Sequence, residues 1–198
     1  MTKSFKIVLA VIVVVVLAVG GYVVYRKVGN KNSAGGGGAV SASAEVNPQA
    51  LKQAESAMAN PDNQQQTQVY GSPDGYSFVY PKDFKVGQFE EGEGNMTLVQ
   101  QTQGNLGMQI YVQDFDEAGP LTVARIKQDL PDQDIEQAQN ASLDKEPAIV
   151  FFSKSESLGQ TYEVWLIHNK KLFQISGYAQ EKDLINKILN TWKWQDAE

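Results

Sequence analysis

The hydrophobic pattern of the chain begins with one long apolar run. Residues 7–25 contain no charged side chain, and a helix of that length reaches roughly 28 Å, close to the hydrocarbon thickness of a bilayer. Basic residues flank both ends, with Arg26 and Lys27 at the second, which is typical of membrane-spanning helices. The pattern predicts a single-pass transmembrane helix over 7–25 behind a short basic N-terminus, 1–6.

A cleaved export signal is the alternative interpretation of this run. Such a signal has an apolar core of about 7 to 15 residues and small residues at a cleavage site directly after it. Here the apolar core is longer, and the first Ala-x-Ala arrangement, at 42–44, lies well beyond Arg26 and Lys27. We therefore expect an uncleaved signal anchor that holds the protein in the lipid bilayer.

Polar and small residues separate this run from the rest of the chain. Residues 26–46 include four consecutive glycines at 35–38 and lack the apolar surface that folding requires, which predicts a flexible Gly/Ser/Ala linker. In 47–68, Asn47 is placed to cap a short helix over 48–60, and a polar linker follows. The apolar face of that helix is weak, which favours a marginal stalk helix over one that docks on the domain.

Alternating apolar and polar positions then predict a compact domain over 69–198. Short runs rich in β-branched and aromatic residues predict seven strands, at 76–80, 96–101, 107–113, 135–142, 148–154, 161–168 and 172–178. Apolar residues at helical spacing predict one helix between Pro120 and Pro131 and another over 181–192. The order β-β-β-α-β-β-β-β-α, with a short polar hairpin break at 168–171, indicates an α+β sandwich in which helices pack on an antiparallel sheet.

Three stretches of this domain suggest a family. The segments "GYSFVYPKDF" at 75–84, "TYEVWLIHNKKLFQIS" at 161–176 and "LINKILNTWKW" at 184–194 resemble the PsbP-like domains of the Mog1/PsbP fold. A Tyr-x-Phe-x-Tyr-Pro opening strand and a final helix that ends in an aromatic residue recur in that family. The resemblance covers about 69–194 and implies an α+β sandwich. The best-known members assist the photosynthetic oxygen-evolving complex, and others are membrane-anchored bacterial proteins of unknown role, so the resemblance assigns no functional residue here.

The distribution of charge narrows the classes of partner. All 23 acidic residues follow the apolar run, and from residue 32 onward they outnumber 12 Lys and Arg residues, a net charge of −11. An acidic domain repels nucleic acid and anionic lipid headgroups, so we expect no nucleic-acid partner. The basic residues near the two ends of the run are nearly balanced in number. A short basic head before a signal anchor favours an extracytoplasmic C-terminal domain.

Catalytic and metal-binding chemistry has little support in the sequence. The chain contains no cysteine and a single histidine, His168, which excludes disulfides, thiolate metal sites and cysteine nucleophiles. A Ser-His-Asp arrangement would depend wholly on His168, and no Gly-x-Ser-x-Gly motif accompanies it. We expect no catalytic residue, no metal and no cofactor, and a polar turn role for His168.

One acidic turn resembles a calcium loop in part. Asp114, Asp116 and Glu117 present hard oxygen ligands at nearly alternate positions, which suit calcium. The EF-hand spacing fails, because Ala118 and Arg125 occupy later ligand positions. The pattern therefore favours a solvated acidic turn, whose three carboxylates are candidate contacts for a partner.

Other candidate contacts are two further acidic clusters and one aromatic residue. The clusters at 90–94 and 131–136 indicate solvated loops that suit a weak divalent ion or a basic partner. Trp192 falls on the apolar stripe of the last predicted helix and is expected in the core. Trp194 lies off that stripe and is the aromatic candidate for a partner contact.

Two classes of function follow from these patterns. The favoured class is a non-catalytic, membrane-tethered, extracytoplasmic module that binds or helps to assemble a partner protein of the cell envelope. The alternative class is an enzyme or a small-ligand carrier whose site is built from side chains dispersed along the α+β domain. A deep, partly apolar pocket would favour the second class, and an exposed contact surface would favour the first.

Overall fold

The computed structural model describes residues 47–59, 66–117, 119–155 and 159–195. The predicted transmembrane helix, 7–25, and the predicted linker, 26–46, lie outside them. Within the described ranges, no helix has the length and apolar character needed to cross a membrane.

Three α-helices and ten strands form the described part of the chain. The helices are α1 (Pro48–Ala59), α2 (Val123–Asp129) and α3 (Lys182–Leu189), and a 3-10 turn, Ala179–Glu181, directly precedes α3. The strands are β1 (Thr67–Ser72), β2 (Tyr76–Pro81), β3 (Phe84–Glu91), β4 (Gly94–Gln101), β5 (Gly107–Asp114), β6 (Glu136–Leu143), β7 (Glu146–Ser155), β8 (Gly159–His168), β9 (Lys171–Tyr178) and β10 (Lys193–Trp194).

The strands form two antiparallel sheets. The large sheet has the order β3-β4-β5-β9-β8-β7-β6, and the small sheet has the order β1-β2-β10. The predicted hairpin at 168–171 joins β8 to β9, with His168 opposite Lys171. Its two turn residues, Asn169 and Lys170, have φ values of 48° and 59°, as the tight turns of hairpins require. The predicted antiparallel α+β architecture is confirmed.

The large sheet carries apolar side chains on both of its faces. On one face, Ala148 and Leu166 join the main core together with side chains of the small sheet, α1 and α3. On the other face, Ile149 and Trp165 pack with Ile126 of α2. Side chains alternate between the two faces along each strand, so the unbroken apolar runs of β7 and β8 reflect burial on both sides.

Three strands are absent from the sequence prediction. β1, β3 and β10 were not predicted, because few of their residues are large, apolar and buried. In β3, the buried Phe84 and the half-buried Val86 alternate with the exposed Lys85 and Gly87, but a glycine and polar residues occupy most of the strand, so its apolar signal is weak. It pairs with β4 in a tight hairpin that closes at Glu91 and Gly94.

The last helix is shorter than the predicted range, 181–192. It ends at Leu189, with Asn190 as its C-cap, and the hydroxyl of Thr191, just beyond the helix, accepts a hydrogen bond from the backbone N–H of Val79 at 2.8 Å. That contact turns the chain toward β2, with which β10 then pairs. Trp192 is nevertheless fully buried, which confirms its predicted place in the core.

The first helix differs from the predicted stalk. The side chain of Asn47 caps α1 by accepting a hydrogen bond from the Gln49 N–H at 3.0 Å, as the sequence indicated. The helix then docks on α3 and β2, with Ala54 fully buried in the main core. The small side chain of Ala54 allows this close approach. The stalk interpretation is therefore corrected: α1 is part of the domain.

Candidate functional site

Asp74 lies in the tight turn that joins β1 to β2. The hydroxyl of Ser72 accepts a hydrogen bond from the Asp74 N–H at 3.1 Å, and the Ser72 carbonyl accepts one from the Gly75 N–H at 3.1 Å. Gly75 has a φ of 86°, which a residue without a side chain adopts at little cost. The Ser-Pro-Asp-Gly sequence is typical of such a turn, and it places the Asp74 carboxylate against the large sheet.

Three side chains of the large sheet hold the carboxylate of Asp74. It accepts hydrogen bonds from Gln88 Nε2 at 2.7 Å and from Asn95 Nδ2 at 3.1 and 3.2 Å. It also pairs with Lys171 Nζ at 2.9 Å. The Asp74 side chain is 5% exposed, so these donors replace the water that a carboxylate needs. The cluster fixes the small sheet to β3, β4 and β9.

A polar cleft of about 300 Å³ opens beside Asp74. The described residues that line it are Asp74, Glu90, Gly92, Glu93, Gly94, Asn95, Val112, Gln113, Asp114 and Lys171. Lys171 alone among them is basic. The carboxylates of Glu90, Glu93 and Asp114 form no ion pair with any described residue. We call this feature the Asp74 cleft.

One wall of the Asp74 cleft is a tightly held hairpin tip. Glu91 and Gly94 end β3 and begin β4, and the Tyr111 hydroxyl donates to the Glu91 carbonyl at 3.2 Å. A Cβ atom on Gly94 would lie 2.8 Å from the Tyr111 ring, so glycine is required there. Burial raises the pKa of the Tyr111 hydroxyl, which keeps it a donor. The cluster predicted at 90–94 is therefore an acidic tip on a fixed support.

The chemistry of the Asp74 cleft suits a positively charged group. Three exposed carboxylates surround a buried one whose charge Lys171 already balances, so the rim has a surplus of negative charge. An ammonium or guanidinium group at the rim would gain charge-assisted hydrogen bonds. Each exposed ion pair contributes only about 0.2–1 kcal/mol, so binding requires several contacts at once.

The three predicted carboxylates of the acidic turn separate in the structure. Asp114 lines the Asp74 cleft, and Asp116 is exposed. Glu117 accepts a hydrogen bond from Arg125 Nη2 at 2.7 Å, and Arg125 Nε also donates to Asp129 at 2.7 Å. Glu117 thus supports α2, and Asp114 is the predicted contact that reaches the cleft. Among the described residues, no three acidic, histidine or cysteine side chains are grouped so that they could hold a metal ion.

Trp194 is half-buried. Its ring stacks on His168 with centroids 3.8 Å apart, and its Nε1 donates to the Leu143 carbonyl at 3.3 Å. His168 Nδ1 lies 3.2 Å from Glu146 Oε1, next to the β8–β9 turn. These contacts join β10 to the β6–β7 and β8–β9 hairpins, and Trp194 remains partly exposed.

A second groove, of about 570 Å³, lies between α1 and the turn that joins β2 to β3. Its described lining residues are Lys52, Gln53, Ser56, Ala57, Gln66, Lys82 and Asp83. Four of them belong to α1. The groove therefore exists only while α1 is docked.

Two buried carboxyl groups lie outside both depressions. Burial raises the pKa of Glu163 to about 7, although hydrogen bonds from Thr161 and Trp165 lower it in part. Trp165 Nε1 donates to Glu163 Oε2 at 3.0 Å. Burial likewise raises the pKa of Glu181 to about 8. Both carboxyl groups are packed among core side chains.

Sequence reasoning named Asp114 and the acidic tip, but it missed Asp74 and Lys171. The Ser-Pro-Asp-Gly turn signature is the signal that could have drawn attention to Asp74. No local signal marks Lys171, which lies 97 positions from Asp74 in the chain.

Several solved structures match this chain, and two of them are described below. No protein-family model matches the chain, and no curated protein matches it. The solution structure of cyanobacterial PsbP from Synechocystis matches with a TM-score of 0.46 and 11% identity, over 69% of this chain and 96% of that one. The crystal structure of a GTP binding regulator from Thermotoga maritima matches with a TM-score of 0.32 and 12% identity, over 71% and 85%. At these TM-scores, neither match carries an argument about the family of this chain or about what it binds.

Proposed function

We propose that the protein is a non-catalytic, membrane-tethered module that binds a basic segment of a cell-envelope partner at the Asp74 cleft. The proposal rests on one observation. The rim of the Asp74 cleft holds more carboxylates than basic groups, and tightly packed residues of the large sheet hold that rim in place. Glu90, Glu93 and Asp114 line the same cleft as the buried carboxylate of Asp74 and its partner Lys171. A site that is ordered before binding loses little conformational entropy on binding.

The overall charge supports the same class of partner. The chain from residue 32 onward carries a net charge of −11, which attracts basic segments and increases their rate of encounter. The Asp74 cleft adds a defined place for one or two cationic side chains. Long-range attraction and a local site together favour a protein partner with exposed lysine or arginine.

The membrane tether belongs to the proposal and has its own test. Because the chain has no cysteine, Asp196→Cys in the full-length protein provides a single thiol. A membrane-impermeant thiol reagent should label it in intact cells, or once an outer membrane is permeabilised, if the domain is extracytoplasmic. Labelling only after the inner membrane is lysed would show the opposite orientation.

The cleft is tested with the full-length chain in lipid nanodiscs and a fluorescent hexalysine peptide as the probe. The variant Glu93→Gln/Asp114→Asn removes two rim carboxylates. The control Asp132→Asn/Asp183→Asn removes two exposed carboxylates elsewhere and has the same net charge. We expect the rim variant to weaken binding about fivefold, corresponding to two exposed ion pairs, and the control to weaken it far less.

Fluorescence anisotropy at several salt concentrations measures both affinities. Equal losses in the two variants would show that the peptide binds the diffuse charge of the domain and would contradict a site at the cleft. No binding by the parent chain would contradict the basic-partner proposal as a whole.

A further inference from the structure

β6 is an edge strand that is exposed on both of its faces. It pairs with β7 on one side and ends the order of the large sheet. Every residue from 137 to 142 is solvent exposed, so no described helix or loop covers the strand. The N–H and C=O groups along its outer edge have no strand partner among the described residues, and such an edge readily pairs with another strand.

The two edges of the large sheet differ in charge. β3, at the opposite edge, carries Lys85, Glu90 and Glu91, and charged side chains oppose edge-to-edge pairing. β6 carries no charged residue from 137 to 143. A bulge between Glu136 and Gln139 interrupts its first part. The remaining run, 139–143, is regular and uncharged, and its side chains are exposed up to Ser142, whereas that of Leu143 is buried.

We propose that this run is a self-association edge, at which two copies of the chain pair β6 with β6 antiparallel about a twofold axis near Ala141. A twofold axis pairs one edge with itself, so both copies use the same N–H and C=O groups. With Ala141 at the axis, Asn140 faces Ser142 and Gln139 faces Leu143 of the other copy. No like charges meet within the run.

When two copies of the chain meet, their charge favours contact at β6 over contact at other parts of their surfaces. Domains with a net charge of −11 repel one another, and an uncharged strand is where this repulsion is smallest at contact. The interface is small, so the dimer is weak in dilute solution. In the membrane-tethered chain that we propose, confinement to one bilayer raises the effective concentration of the two copies.

Disulfide trapping in the full-length chain tests the pairing. Directly opposed residues of an antiparallel pair have Cα atoms about 4.5–5.5 Å apart, which is within reach of a disulfide. The chain has no native cysteine, so Ala141→Cys on β6 and Lys85→Cys on β3 each introduce one thiol on an exposed edge. Membranes of expressing cells are oxidised with copper phenanthroline, and the products are separated on a non-reducing gel.

The expected result is a disulfide-linked dimer of Ala141→Cys in about tenfold higher yield than that of Lys85→Cys. The cysteine on β3 controls for random collision and for association through other parts of the chain. Equal yields from the two variants, or no dimer from either, overturn the proposal.

A second measurement uses charge and needs no oxidant. Ala141→Lys places two ammonium groups opposite each other at the axis, whereas Gln103→Lys adds the same charge in the loop between β4 and β5. Sedimentation of the full-length chain in detergent should show a concentration-dependent dimer for the parent and for Gln103→Lys, and a monomer for Ala141→Lys. A dimer that Ala141→Lys leaves intact, or a parent chain that stays monomeric, overturns the proposal.

Discussion

Glu181 Oε2 accepts a hydrogen bond from the backbone N–H of Gly107 at 2.8 Å, which joins the turn before α3 to the start of β5. The Glu181 side chain is fully buried, and its Oε1 has no hydrogen-bond partner in the described part of the chain. Burial raises the pKa of this carboxyl to about 8, and the Gly107 hydrogen bond offsets part of that rise. Glu181 is therefore mainly protonated near neutral pH.

We expect the free energy of unfolding to fall as the pH rises from about 4.5 to about 8. Below the ordinary pKa of 4.5, Glu181 is protonated in both the folded and the unfolded states. Between 4.5 and about 8, the unfolded chain releases this proton and the folded chain keeps it, which favours unfolding. Each unit of pKa difference corresponds to about 1.4 kcal/mol, so the total loss is on the order of a few kcal/mol. Urea titrations across this range measure it.

The variant Glu181→Gln isolates this effect. Its amide oxygen can accept the Gly107 hydrogen bond, and its side chain does not ionise. The stability of the variant should therefore change less with pH than that of the parent, although Glu163, with a pKa of about 7, still contributes. Asp183→Asn changes an exposed carboxyl in the same region and serves as the control. If the free energies of unfolding of the parent and of Glu181→Gln changed equally with pH, the pH dependence would not come from Glu181.

Trp192 and Trp194 are two positions apart and should differ in their contribution to stability. Trp192 is fully buried and stacks on Tyr76 with centroids 4.3 Å apart, so Trp192→Ala leaves a cavity and should cost about 3–5 kcal/mol. Trp194 is half-buried and stacks on His168, so Trp194→Ala should cost about 1–2 kcal/mol. Urea unfolding measures both, and equal losses would contradict this difference.

The strands that could be predicted are those with large apolar side chains along their length. β8 and β9 cover Gly159–His168 and Lys171–Tyr178, close to the predicted 161–168 and 172–178. β3 was not predicted, because Lys85, Gly87 and Gln88 leave its apolar alternation weak, and its pairing with β4 is not visible in the local pattern. α1 could be located from its cap at Asn47. Its docking could not, because it depends on a surface of α3, which is far from α1 in the sequence.

The candidate site was less predictable than the fold. Asp114 was named from the composition of one turn, and it does line the Asp74 cleft. Asp74 itself was missed, because its role depends on donors from Gln88, Asn95 and Lys171, which only the folded sheet brings together. The sequence of one turn shows which of its residues are charged. It does not show which charged residues from distant parts of the chain lie close together in the fold.

The docking of α1 can be tested at Ala54. This side chain is 1% exposed, so Ala54→Lys should release α1 from α3 and β2, because burying an unpaired ammonium there costs more than the helix contributes. Hydrogen exchange of the α1 amides in the full-length chain should become faster. Gln53→Lys, on the exposed side of the same helix, is the control and should leave exchange unchanged. Slow exchange in Ala54→Lys would contradict the docked position.

Asp74 is held in place at the centre of its cleft by three donors, so the loss of its charge should destabilise the fold. Asp74→Asn removes the charge that faces Lys171 and turns an NH₂ group toward the donors Gln88 and Asn95, so it should lower the free energy of unfolding by about 2–3 kcal/mol. Glu93→Gln, on the exposed rim, should change it by less than about 0.5 kcal/mol. Urea unfolding of the full-length chain compares the two. If both variants had the same small effect, the hydrogen bonds of Asp74 would contribute little to stability, and the rim carboxylates would have no fixed support.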